Sequence, residues 1–89
     1  MAKRNRVQIV GDMLSVIQQN GGEIKPTHLM YKANLSHMQM RPLLEELLAK
    51  ELVARVKKHQ YDYFIITEKG VHLSQKLKEM REFEKTFGL

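Results

Sequence analysis

Ser36-His-Met-Gln-Met-Arg-Pro-Leu-Leu-Glu-Glu-Leu-Leu-Ala-Lys50, followed at once by Glu51-Leu-Val-Ala-Arg-Val-Lys-Lys-His-Gln-Tyr-Asp-Tyr-Phe-Ile-Ile-Thr67, is the stretch that decides the fold. In its first half Met40, Leu43, Leu44, Leu47 and Leu48 recur at helical spacing. Ser36 followed three residues later by Gln39 has the form of a capping box, so a helix is expected to begin there. Pro42 stands against that helix: inside one, proline removes a backbone bond and clashes with the preceding turn, at about 3 kcal/mol. Either a kink or a loosened first turn is expected. After Lys50-Glu51 the apolar period changes from helical to alternating. Residues Leu52–Lys58 and Tyr61–Thr67, rich in β-branched and aromatic side chains, read as two strands of a hairpin. His59-Gln60 between them lacks the Asn-Gly signal of the tightest turns, which leaves the loop length open.

Working upstream, Ile9, Val10, Met13, Leu14 and Ile17 fall on one face of a first helix, which Asn20-Gly21-Gly22 ends. Ile24 either forms a short strand or plugs the core. A second, shorter helix begins near Lys25-Pro26-Thr27, since proline suits a first turn and Thr27 is a capping residue type. Its buried positions are Leu29, Met30 and Ala33, and Asn34-Leu35 reads as a tight turn. Downstream, Thr67 caps a last long helix running to about Phe87, with Leu73, Leu77, Met80 and Phe87 as its apolar positions. The fold class is therefore mainly α with a small β-hairpin. The order helix, helix, turn, helix, hairpin, helix is that of a winged helix-turn-helix.

At 89 residues the chain holds one compact core, and 43% hydrophobic with 28% charged residues is an ordinary globular composition. It has no cysteine, which removes disulfides, thiolate zinc sites and cysteine nucleophiles. No stretch reaches the roughly 18 apolar residues of a membrane span, and Gln8, Gly11 and Asp12 interrupt what would be a signal-peptide core, so a cytoplasmic protein is expected. The formal charge is +5, and the cations cluster: Lys3, Arg4 and Arg6 at the start, Arg55, Lys57 and Lys58 in the hairpin. Such clusters attract polyanions through long-range fields and counterion release.

Met30-Tyr-Lys-Ala-Asn-Leu-Ser36 before the third helix, Leu52-Val53 after it and Ile66-Thr-Glu-Lys-Gly70 at the end of the hairpin resemble the small archaeal winged-helix DNA-binding proteins of about ten kilodaltons. The resemblance covers about Arg6 to Phe83. It implies a homodimer bound to double-stranded DNA, acting as a transcriptional regulator or a nucleoid-associated protein, with no cofactor. It also implies that the last helix pairs as an antiparallel coiled coil. Residues 1–67 would form the DNA-binding domain and 68–89 the dimerisation helix. Ser74 and Gln75 depart from the family's pattern, being polar where it continues an apolar helix face.

In this architecture the N-terminal residues of the third helix face base edges in the major groove. The candidates are Ser36, His37, Gln39 and Arg41. Glutamine bonds adenine and arginine bonds guanine in bidentate fashion. The competing readings are that Gln39 is held in the capping box and that Arg41 is solvated or on phosphate. Met38 either meets a thymine methyl or covers the edge of the core. Arg55, Lys57, Lys58 and His59 on the wing would follow the backbone or enter a minor groove, or else guard a sheet edge against aggregation. Lys3, Arg4, Arg6, Lys25, Thr27 and Lys32 are candidate phosphate contacts; the N-terminal cations are otherwise a solubilising tail and Thr27 a helix cap. Leu73, Leu77, Met80, Phe83 and Phe87 form the candidate dimerisation seam, unless Leu73 and Leu77 pack on their own domain.

Four histidines, His28, His37, His59 and His72, form no His-x-x-x-His pair, so no metal site is expected. No phosphate-cradling loop or Ser-His-Asp set is present, and the chain does not read as an enzyme. The rival reading is a winged-helix module that binds an acidic protein partner. RNA is a third, disfavoured by the scarcity of aromatics beyond Tyr61 and Tyr63 for base stacking.

Overall fold

The computed structural model describes residues 4–88. The chain runs α1 (Arg6–Gln19), β1 (Glu23–Ile24), α2 (Pro26–Lys32), α3 (His37–Ala49), β2 (Val53–Lys58), β3 (Tyr61–Ile66) and α4 (Glu68–Thr86). The hairpin is part of a three-stranded antiparallel sheet in the order β1-β3-β2, with Ile24 opposite Phe64 on one side and Arg55 opposite Phe64 on the other. Ile24 thus satisfies both open readings, since it is a strand residue and lies in the core.

Each helix begins and ends for a local reason. Asn5 and Ser36 each make a full capping box with a glutamine three residues on, Gln8 and Gln39. Helix α3 runs through Pro42, whose missing amide would have reached the Met38 carbonyl. Both residues lie on the exposed side, where that carbonyl is open to solvent. Helix α2 corrects one expectation: its N-cap is Lys25, with Pro26 in the first position, and Thr27 caps nothing. The first three helices all end on paired backbone bonds that close their last carbonyls. Gly22 N–H donates to Ile17 O, Leu35 to Met30 and Leu52 to Leu47, with Gly21, Asn34 and Glu51 in the left-handed region before them. The wing turns over just two residues, His59 and Gln60, both at positive φ (50° and 70°). That is the backbone of the tight primed turn, made without the asparagine and glycine that usually announce it.

The core is built from one face of each element. Met13, Leu14 and Ile17 of α1, Leu29 and Ala33 of α2 and Met40, Leu44 and Leu47 of α3 are buried with Ile24, Leu35, Leu52, Val53 and Phe64. It extends past residue 67, because Gly70 and Ser74 of α4 are buried and Leu73 packs against the cluster. The Thr-Glu-Lys-Gly run explains this junction. The Thr67 hydroxyl donates to the carbonyl oxygens of Glu51 (2.7 Å) and Leu52 (3.0 Å) and accepts from Gly70 N–H (3.0 Å). Lys69 closes the end of α3 through the Lys50 carbonyl. Gly70 is required because a Cβ there would overlap the Leu52 carbonyl oxygen and come within 2.7 Å of Ile66 Cγ1.

Candidate nucleic-acid interface

The turn between α2 and α3 is short, and Leu35 buries itself within it, so α3 is locked to the core by Met40, Leu44 and Leu47 while its opposite face stays in solvent. Residues 37, 38, 41, 42 and 45 form that outward face, and all are exposed. His37 and Arg41, one turn apart, also line a cleft between α3 and β2 with Pro26, Leu44 and Phe64, and Arg55 enters it from the sheet. The Arg55 guanidinium lies 5.7 Å from the centre of the Phe64 ring, within cation–π range. Helix and wing therefore present cations to one shared cleft.

Strand alternation divides the wing cations between two faces. Val53, Arg55 and Lys57 share the face that carries buried Val53 and Phe64, next to α3. Lys58 falls on the other face, where both Glu23 carboxylate oxygens accept from its ammonium (2.7 and 2.9 Å). Lys25 is on that side too, 4.3 Å from the centre of the Tyr61 ring and 5.7 Å from that of Tyr63. Lys57 stands opposite Asp62 in the register but makes no ion pair with it among the described residues. His59 sits exposed at the turn itself.

Several of the residues singled out in the sequence have partners within the chain. Gln39 Oε1 accepts from Ser36 N–H (2.9 Å) and Ser36 Oγ from Gln39 N–H (3.1 Å), so the helix cap occupies the oxygen atoms of both. Arg41 lies 3.5 Å from Glu45. Arg6 pairs with Glu46, which also takes Lys50. Arg4 is not a loose arm: its guanidinium donates to Asp12 (3.0 Å) and to the carbonyls of Ala33 and Asn34 (both 2.8 Å), fastening the residue before the α1 cap to the end of α2. A planar fork with five donors suits three acceptors in this way. Lys3 lies outside the described residues. Among the described candidate cations, Lys25, Lys32, Arg55 and Lys57 have no carboxylate partner. No group of three or more metal-ligating side chains occurs among the described residues.

The residues named for the seam on α4 separate into two sets. Leu73 packs on the core and Leu77 lies over Gly11 of α1, close to the point where Arg81 reaches Asp12 (3.5 Å). Both are held within the chain by packing on the core and on α1. Met80, Phe83 and Phe87 are instead 55%, 56% and 64% exposed, and the two phenylalanine rings lie 4.7 Å apart. No helix among the described residues is long and apolar enough to cross a membrane.

Sequence and fold place the chain in the winged helix-turn-helix family, whose model matches residues 3–85. Its structural neighbours include small archaeal and viral winged-helix proteins. The Sulfolobus solfataricus DNA-binding protein Sso10a-2 superposes with a TM-score of 0.82 at 19% identity, over 94% of this chain and 85% of that one. A winged-helix DNA-binding protein from STIV gives 0.77 at 21% identity, over 94% and 95% of the two chains. The oxidised form of MarR from E. coli gives 0.70 at 19% identity, over 86% of this chain and 60% of MarR. No curated protein matches the sequence.

Proposed function

We propose that this protein binds double-stranded DNA as a homodimer and acts on the nucleoid in the cytoplasm, as a transcriptional regulator or a DNA-coating protein. The observation that carries the reading is the cleft between α3 and β2, where His37 and Arg41 of the helix and Arg55 of the wing converge with no carboxylate but Glu45 on its walls. Helix α3, 13 residues long with its outward face exposed beside a two-stranded wing, is suited to lie in a major groove with Arg55 and Lys57 along the adjoining phosphates. The DNA-binding proteins among the structural neighbours support the same partner.

The dimer rests on the free end of α4. At about 1.5 Å per residue the helix is about 28 Å long, and the molecule extends 47 Å along its major axis. Met80, Phe83 and Phe87 form an apolar end that a second copy, paired antiparallel, would cover. Two heads on such a spacer would sit near the ~34 Å repeat of the major groove on one DNA face. Leu73 and Leu77 would stay in their own subunits and leave a shorter seam than the sequence suggests.

The test is titration of a labelled duplex at low and moderate salt. Binding that weakens steeply with salt is expected, and no binding at low ionic strength would reject the proposal. Preference for an acidic protein or for single-stranded RNA over duplex DNA would reject it as well.

A further inference from the structure

Two parallel rows of side chains lie on the outward face of α3. Residues i and i+4 are neighbours on a helix, so His37 and Arg41 make a polar row and Met38 and Pro42 an apolar one beside it. Met38 is 86% exposed, more than any other large apolar side chain described, which removes the reading that it covers the core edge. Tyr31, in α2 just across the turn, follows at 81%. The other exposed large apolar groups are Val7 on α1, Tyr61 on the wing and Val71, Met80, Phe83 and Phe87 on α4, all less exposed; these two stand on the helix-turn-helix. Meanwhile the groups suited to polar base reading are partly engaged. The cap holds the Gln39 carbonyl oxygen, and Arg41 leans on Glu45. An unpaired apolar row on a groove-reading helix, beside cations that draw in phosphate, needs an apolar feature on the floor of the groove. In B-DNA the only such feature is the C5-methyl group of thymine.

Resting on the DNA-binding reading above, we propose that Met38, with Pro42 one turn along, is a pyrimidine-methyl reader that gives this protein a preference for thymine-bearing duplexes. The thioether is flexible and polarisable, so it adapts to methyl groups at slightly different heights rather than demanding one register. Pro42 fits the same reading: on this face it offers a rigid apolar surface and no donor to compete for base edges.

The experiment compares one A·T-rich duplex with the same duplex in which deoxyuridine replaces every thymidine. This deletes the methyl while keeping the base-pairing pattern. Burying one methyl corresponds to about a fourfold change in affinity, so the uridine duplex is expected to bind at least about fourfold more weakly. Met38→Ala should bring the ratio of the two affinities close to one, and Val71→Ala, an exposed apolar change on α4, should leave it as it was. Equal affinity of the unaltered protein for both duplexes, with binding intact, would overturn the methyl reader and leave DNA binding standing. Failure to bind either duplex at low salt would defeat the DNA-binding reading itself. A ratio that Met38→Ala does not change would also overturn the assignment.

Discussion

Arg55→Ala combined with Lys57→Ala tests the interface most directly, because strand alternation puts both cations on the α3 side of the sheet and neither has a carboxylate partner among the described residues. Each phosphate that a protein neutralises contributes about 0.9 to the slope of log K against log salt. Two cations lost from a monomer should therefore flatten the slope by about 1.8, and from a dimer on one duplex by about 3.6. The size of the change thus reports how many copies sit on the DNA. Both side chains are exposed, so stability should stay within about 0.5 kcal/mol of the unaltered protein. Lys58→Ala is the matched control, since Glu23 already neutralises Lys58 on the opposite face, and it should change the slope much less. Fluorescence anisotropy of a labelled duplex between about 50 and about 200 mM salt supplies the measurement. An unchanged slope in the double variant, or a larger change from Lys58→Ala, would refute the division of the wing into a DNA face and a back face.

Gly70→Ala should destabilise the fold by about 3 kcal/mol or more, beyond usual overpacking, because its Cβ meets the backbone carbonyl of Leu52 and not a movable side chain. Gly11→Ala is the contrast: its Cβ would touch Leu77 Cδ1 at an ordinary 3.5 Å, so the helix propensity gain of about 1 kcal/mol should appear as a melting temperature several degrees higher. Ser74→Ala should also stabilise, by about 1 kcal/mol, since the Ser74 hydroxyl is buried with no hydrogen-bond partner among the described residues; a lower melting temperature would mean that a partner exists. Phe83→Glu with Phe87→Glu should give monomers in sedimentation while the winged head keeps its melting temperature, and persistent dimers would place the seam elsewhere.

Much of this molecule was legible before any coordinates. The capping box at Ser36, the Thr67 cap, the change of period at Leu52 and the stop at Gly21 are local signals. Each acts through backbone bonds a few residues away, so the sequence carries them in full. The wing turn was less legible, because His59 and Gln60 adopt a left-handed conformation that their residue types rarely announce; the strands on either side impose it. Thr27 misled because Pro26 fixes where α2 starts, and the cap position therefore falls one residue before it, on Lys25.

Composition and order alone were enough for the four helices and the hairpin, their sequence along the chain and the basic character of the hairpin, since period and capping are short-range properties; the strand at Ile24, paired 40 residues away with Phe64, stays open on those grounds. Which cations remain available was not knowable that way. Arg4, Arg6 and Lys58 look like Arg55 and Lys57 on paper, yet partners 8, 40 and 35 residues away claim the first three. The same holds for α4, where Leu73 and Leu77 pack inward while Met80, Phe83 and Phe87 stay exposed. Pairing across such distances depends on how the elements pack, and packing is a property of the assembled core rather than of any one segment.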